Sequence, residues 1–269
     1  MLAGSMIWPQ IPEGVSPALY YACVGLAVVV IGISKAGFGG GLGILAVPLM
    51  AAVMPPGCML GVMLPVLIAA DILSNLHYLK AYEVRFLRPL LLGAVAGVIL
   101  GSAGFWILQK ADPARFQRWL KILIGVICLV FVAMQAYGLT GRRVPTLPSR
   151  PASSVGVGAL AGFVSTLSHS SGPIVTLYLL QEKVEKRLLV GTLVLFYLLL
   201  NVAKVPTYLI LGNINAATLR DSVWLIPLIP AGTLLGAWLH RRIPEKPFLA
   251  ILYGFAALTA GHMIWTAVR

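Results

Sequence analysis

The chain has 269 residues, 59% of them hydrophobic and 10% charged, with a formal net charge of +12 and a mean hydropathy of +0.93. Soluble domains carry about 25% charged residues, so this composition excludes an ordinary globular protein and indicates an integral membrane protein. Apolar stretches of near-spanning length select helices over the short alternating segments of a strand barrel, and the basic excess fits cytoplasmic loops rather than nucleic acid, because no basic face with interleaved aromatics accompanies it.

The first seventeen residues, MLAGSMIWPQIPEGVSP, contain no Lys or Arg, so the basic start of a cleavable signal peptide is missing and none is expected. Five apolar pieces follow, over residues 18–34, 42–54, 58–79, 89–108 and 119–139. A stretch rich in Pro, Ser and Arg, TGRRVPTLPSRPASS (Thr140–Ser154), reads as a linker. Five more apolar pieces cover 153–167, 172–181, 188–211, 222–239 and 247–267. In each set the last three have the length of a bilayer crossing. The first two are short and joined by a polar or glycine-rich break, the pattern of a broken or re-entrant helix.

The two sets repeat one another. LGILAVPLM (Leu42–Met50) aligns with SGPIVTLYL (Ser171–Leu179), and LGVMLPVLIAAD (Leu60–Asp71) with VGTLVLFYLLLN (Val190–Asn201). GVILGSAGFWI (Gly97–Ile107) aligns with GTLLGAWLHRR (Gly232–Arg242), and WLKILIG (Trp119–Gly125) with FLAILYG (Phe248–Gly254), always at an offset near 130 residues. The pattern predicts an all-α polytopic membrane protein built of two inverted repeats, each with a broken or re-entrant helix pair plus three spanning helices. The first repeat covers 1–139, a basic cytoplasmic linker covers 140–152, and the second repeat covers 153–269. The membrane side holding Arg142, Arg143 and Arg150 collects twelve Lys and Arg against six on the other, where Lys110, Arg115, Arg118 and Lys121 crowd one loop. The richer side is assigned to the cytoplasm, which puts both termini outside.

The two breaks are the candidate site. In GISKAGFGGGLGI (Gly32–Ile44) the glycines 37, 39, 40, 41 and 43 would be costly inside a continuous helix and suit a stop, a turn and a restart. A restarting helix offers free N–H groups and the positive end of its dipole, which attract anions. Ser34, Lys35, Gly39, Gly40 and Gly41 are therefore expected to bind substrate, Lys35 adding a full charge in the membrane zone. The paired break, STLSHSSGP (Ser165–Pro173), replaces glycines with hydroxyls. Pro173 suits a first helical turn, Ser168, Ser170 and Ser171 can donate to an oxyanion, and His169 can donate or carry a proton. Two bland alternatives compete: the glycines serve close helix packing, and Lys35 snorkels to the interface.

Further polar residues stand within long apolar segments. Asp71 and Asn75 lie four apart on one helix face, and Asp71 aligns with Asn201 in the repeat. Asp71, Asn75, Asn201 and Lys204 are expected to couple transport, with Lys204 pairing with Asp71 or helping to hold an anion, and Asp71 alternatively only fixing helix packing. His77, His240 and His262 read as peripheral. Cys23, Cys58 and Cys128 show no metal-ligand or disulfide spacing and read as small core residues. GFGGGLG does not satisfy G-x-G-x-x-G and no GK[ST] follows, so neither a nucleotide motor, a metal nor any cofactor is expected.

GISKAGFGGGLGILAVPLM, STLSHSSGPIVTLYLL and the duplicated hydrophobic plan resemble the TauE/SafE family of sulfite exporters, also called the 4-toluene sulfonate uptake permease family, over about residues 18–267. The resemblance implies a multi-pass carrier of the bacterial inner membrane for anions such as sulfite, sulfonates or sulfoacetate, with about eight membrane helices by the usual counting. The expected partners are a small anion and the lipid bilayer, not nucleic acid. The expected function is secondary transport, proton-coupled through His169 and Asp71. An anion channel would share the site without the coupling. A membrane-embedded enzyme using Ser168 or Ser170 with His169 is the third reading, against which stands the lack of an orienting acid.

Overall fold

The computed structural model describes residues 11, 14–35, 41–78, 80–139, 147–182, 184–242 and 245–268, and these form helices and no strand. In chain order the helices are α1 (Pro17–Lys35), α2 (Ala46–Ala51) led by a 3₁₀ turn (Gly41–Leu45), α3 (Pro56–His77), α4 (Val84–Ala111), α5 (Pro113–Leu139), α6 (Pro151–Ser168), α7 (Gly172–Gln181), α8 (Lys186–Ile210), α9 (Ala216–Leu225), α10 (Leu228–Arg242) and α11 (Glu245–Val268). Proline opens several of them because its missing N–H costs nothing in a first turn: Pro56 for α3, Pro151 for α6 and Pro173 for α7. Pro151 and Ala152, expected in the linker, already belong to α6; residues 140–146 of that linker lie outside the described residues.

Among the described residues six helices are long and apolar enough to cross a membrane: α1, α3, α4, α5, α6 and α8. This corrects one expectation. The first apolar piece of each half is not short, since α1 has 19 residues and α6 has 18, which at about 1.5 Å per residue nearly match a hydrocarbon core of about 30 Å. The second piece stays short, as six residues in α2 and 10 in α7. The expected spanning piece 222–239 is likewise not one helix. It divides into α9 and α10 at Ile226 and Pro227, because Pro227 has no N–H to give to the carbonyl one turn earlier.

The helices pack in pairs: α3 against α8, α4 against α6, α1 against α10, and α5 against α11. Two of these contacts bring backbones together. A Cβ at Gly97 would lie 2.0 Å from the Ala159 carbonyl oxygen, and one at Gly162 2.2 Å from that of Ala94, so α4 and α6 touch only because these positions are glycine. Gly32 and Gly232 do the same for α1 and α10, where a Cβ would meet Ile229 O at 2.7 Å and Val29 O at 2.6 Å respectively. Large apolar side chains such as Leu92, Ile99 and Leu100 on α4 and Leu234 on α10 stay exposed, as a lipid-facing surface requires. The polar groups go inward. Asp71 and Lys204 are completely buried where α3 and α8 meet, so the fold places its chemistry at its centre.

Candidate functional site

Lys35 ends α1, where the negative end of the helix dipole favours a cation. It is buried, so it does not snorkel. Its Nζ forms an ion pair with Asp71 Oδ1 and lies 5.4 Å from the centre of the Tyr197 ring. The other carboxylate oxygen of Asp71 accepts a hydrogen bond from Asn201 Nδ2 at 2.7 Å, which joins α3 to α8. The expectation that Lys204 pairs with Asp71 is therefore corrected: Lys35 occupies that carboxylate. Arm α1 lies against α3, so Lys35 reaches Asp71 from within the same half.

Lys204 has different partners. Its Nζ donates to Ser165 Oγ at 2.8 Å, to His169 Nδ1 at 2.9 Å and to the Ser165 carbonyl at 3.4 Å. An ammonium has three hydrogens and no acceptor, so the three acceptors around Nζ suit the charged form and make Nδ1 of the imidazole an acceptor. His169 Nε2 then carries the ring proton and donates to Leu60 O at 3.1 Å, which fixes a neutral tautomer. His169 itself ends α6 in the left-handed region at φ 54°, a conformation that histidine tolerates better than most residues, and its N–H donates to Ser165 O.

The serines of the second break are mostly occupied locally. Ser168 Oγ donates to Val164 O at 2.9 Å and Ser170 Oγ donates to Ser168 O at 2.9 Å. Their hydroxyl hydrogens are spent on backbone in this conformation, as helical serines commonly do. Beyond them α7 restarts at Gly172, and the Tyr197 hydroxyl donates to Gly172 O at 2.9 Å and Ser171 O at 3.3 Å, fixing that helix start against α8.

These elements line a partly open cavity of about 40 Å³. A water needs roughly 10–15 Å³ by this measure, so the space suits a compact group of a few heavy atoms. Its polar wall is Ser34, Lys35, Ser165, His169, Ser171, Tyr197 and Asn201, with the backbone of Gly43 and Gly172; Ile31, Ile44 and Leu67 complete it. Ser34 Oγ is buried with no hydrogen-bond partner among the described residues. A buried hydroxyl without a partner costs about 1–3 kcal/mol, so a ligand on this wall would relieve it. Among the described residues a Cβ at Gly43 would approach nothing closer than Ser34 Oγ at 3.9 Å.

Of the residues expected to bind substrate, Ser34, Lys35, His169 and Ser171 line this cavity, Ser168 and Ser170 do not, Gly41 opens the 3₁₀ turn, and Gly39 and Gly40 lie outside the described residues. Of those expected to couple, Asn201 is on the wall and Asp71 and Lys204 are bonded directly to wall residues. Asn75 is apart from the cavity, donating to Asp71 O at 3.0 Å and Val194 O at 3.5 Å as a brace between α3 and α8. His262 is exposed on α11, while the side chains of His77 and His240 lie outside the described residues. Two site residues escaped the sequence reading. Ser165 occupies the repeat position of Lys35, and Tyr197 stands one turn before Asn201 on the same face of α8; both relations were visible in the spacing.

The family model for the sulfite exporter TauE/SafE matches residues 24–263, nearly the whole chain and every residue of this cavity. The chain belongs to the TauE/SafE family. No curated protein and no solved structure matches it. As a TauE/SafE protein it is a multi-pass membrane protein of a family described as exporters, and its cavity lies within the matched region.

Proposed function

We propose that the protein is a secondary carrier of small sulfur-containing oxyanions, sulfite or an organosulfonate, exporting them across a bacterial inner membrane in exchange with or together with protons. The observation that carries this reading is the cavity with Lys35 and the Ser34 hydroxyl, unpartnered among the described residues, on its wall and Lys204 behind it, beside the ends of α1 and α6 and the start of α7. Lys35 supplies charge and the unpartnered Ser34 hydroxyl a hydrogen bond to an oxyanion there, and the start of α7 adds its dipole. Asp71 and His169 are the titratable groups hydrogen-bonded to the two lysines and are the proposed proton carriers.

The proposed architecture is two inverted repeats, 1–139 and 153–269, joined by a basic cytoplasmic linker over 140–152. Three relations support a two-fold axis through the centre. Asp71 and Asn201, equivalent in the repeat, hydrogen-bond to each other, as only residues at such an axis do. Gly61 and Gly191 are equivalent, and each abuts the backbone of the loop that follows the other's helix: a Cβ would lie 1.8 Å from Asn213 O and 1.7 Å from Ala81 O. The α1–α10 contact exchanges with the α6–α4 contact when the halves are exchanged. Eight crossings result when α11 and the divided α9–α10 join the six long helices, with α2 and α7 as short returning arms.

Hydrolytic chemistry is disfavoured by the same geometry. The His169 ring is bonded to Lys204 and Leu60, and the Ser168 and Ser170 hydroxyls to backbone, so no serine–histidine hydrogen bond activates a nucleophile. The test is counterflow in proteoliposomes preloaded with sulfite or methanesulfonate. Transient accumulation of the labelled anion is expected, and a channel gives none. Absence of counterflow with every sulfur anion, in vesicles of monodisperse protein, refutes the carrier reading.

A further inference from the structure

We propose that this site is charge-matched to a singly charged oxyanion, so that it takes monoanions of the RSO₃⁻ or HSO₃⁻ type and rejects dianions such as sulfate. The proposal rests on the carrier reading above and adds the charge class of the substrate.

The argument is a count of charges around the cavity. Two lysines face it or adjoin it, Lys35 and Lys204. One carboxylate, Asp71, is hydrogen-bonded into the cluster and is completely buried. The chain has eight acidic residues; of the other seven, Glu13 lies outside the described residues, Glu83, Asp112, Glu182, Glu185 and Glu245 stand at helix ends, and Asp221, within α9, lies 3.8 Å from Arg220 and does not line the cavity. His169 is held neutral, its Nδ1 accepting from Lys204 and its Nε2 donating to Leu60 O. The remaining ionisable groups in contact are phenols: Tyr197, whose hydroxyl donates to Gly172 O, and Tyr208, which packs on the His169 ring and donates to Thr166 O. Residues 36–40, Ala-Gly-Phe-Gly-Gly, carry no ionisable side chain. With Lys204 in the charged form that its three acceptors suit, the cluster holds one positive charge more than it balances.

A buried charge is expensive unless it is matched, and the expense grows with the mismatch. One unit of surplus is neutralised by a monoanion. A dianion leaves one negative charge uncompensated beside side chains that are themselves buried. Asp71 is then more than a partner that keeps Lys35 folded inward. It subtracts one charge from a pair of lysines and so sets the charge of the ligand.

The test is titration calorimetry on the purified protein in detergent, with methanesulfonate, which is a monoanion at all working pH values, and sulfate, a dianion. Methanesulfonate is expected to bind at least tenfold more tightly than sulfate. Sulfite, whose second ionisation falls near neutrality, is expected to weaken as pH rises and the bisulfite form is lost. Asp71→Asn raises the surplus to two and is expected to shift the ratio at least tenfold toward sulfate, and Lys204→Gln removes the surplus and is expected to weaken methanesulfonate strongly. Equal binding of sulfate and methanesulfonate by the parent overturns the proposal, a comparison that needs no variant to fold. An unchanged ratio in monodisperse Asp71→Asn overturns it as well. Failure of all three anions to bind the parent overturns the carrier reading itself, which distinguishes the two.

Discussion

Replacing Lys35 with Met keeps the length of the side chain and removes its charge. The partner left behind, Asp71, has no exposed surface, and Lys35 itself is 7% exposed, so neither group has water to fall back on. Asn201 still donates to Asp71 Oδ2, but one neutral donor does not balance a carboxylate. Breaking a buried ion pair by removing one partner costs about 3–5 kcal/mol. At about 2–4 °C per kcal/mol for chains near this size, the apparent melting temperature should fall by roughly 6–20 °C. Adding Asp71→Asn removes the orphaned charge without changing shape, and the double variant should recover most of the loss, since a buried pair is worth little against neutral groups that fit. The assay is thermal unfolding in detergent followed by tryptophan fluorescence, with six Trp as reporters. The double variant should still show weakened anion binding, because the contact that Lys35 makes on the cavity wall is gone. A Lys35→Met protein that melts with the parent, or a double variant no more stable than the single, refutes the assignment of Lys35 to Asp71.

Gly61→Ala and Gly191→Ala each drive a Cβ into a backbone oxygen, at 1.8 and 1.7 Å, and should abolish the monodisperse peak in size-exclusion chromatography, whereas Gly156→Ala, with nothing within 4 Å, should leave it unchanged. Tyr197→Phe removes the donor to Gly172 O and Ser171 O; at about 1 kcal/mol for a lost hydrogen bond, anion affinity should fall several-fold in calorimetry with the fold retained. In a variant without Cys23, Cys58 and Cys128, a cysteine at Ser5 should react with an impermeant thiol reagent in whole cells and one at Ser149 should not; the reverse result inverts the topology. Uptake into proteoliposomes should respond to a pH gradient and not to a sodium gradient at constant pH, and the opposite pattern removes Asp71 and His169 from the coupling role.

Element positions were legible because hydropathy and break chemistry report them directly. The piece expected over 172–181 is α7, and those over 58–79 and 188–211 are α3 and α8 within two residues at each end. Where the reading failed, the missing information was about backbone rather than polarity. The piece over 222–239 is mostly apolar, and its division at Ile226 and Pro227 falls where Pro227 lacks an N–H. The serines of the second break are the right residue type for an oxyanion, but Ser168 and Ser170 sit where the carbonyls of Val164 and Ser168 take their hydrogens first.

The two lysines show what a repeat can and cannot tell. The repeat pairs Lys35 with Ser165 and Asp71 with Asn201. In the first half α1 packs beside α3, and in the second Lys204 and Tyr208 of α8 reach the end of α6 by hydrogen bonds, so a residue of the first helix meets one of the third in each. In the first half the meeting is Lys35 with Asp71, cation on the arm and acceptor on the helix. In the second it is Ser165 with Lys204, acceptor on the arm and cation on the helix. The contact is thus repeated while its polarity is reversed. Composition alone could not assign the partners, because two lysines and one carboxylate permit either pairing. The geometry of the arms decides it: α1 brings Lys35 to Asp71, and Lys204 is left to Ser165 and His169 without a carboxylate of its own. A perfect repeat would have placed two balanced pairs at the centre and left no charge for a ligand. In the carrier proposed above, the reversed and incomplete second pair is what leaves a charge at the centre for an anion.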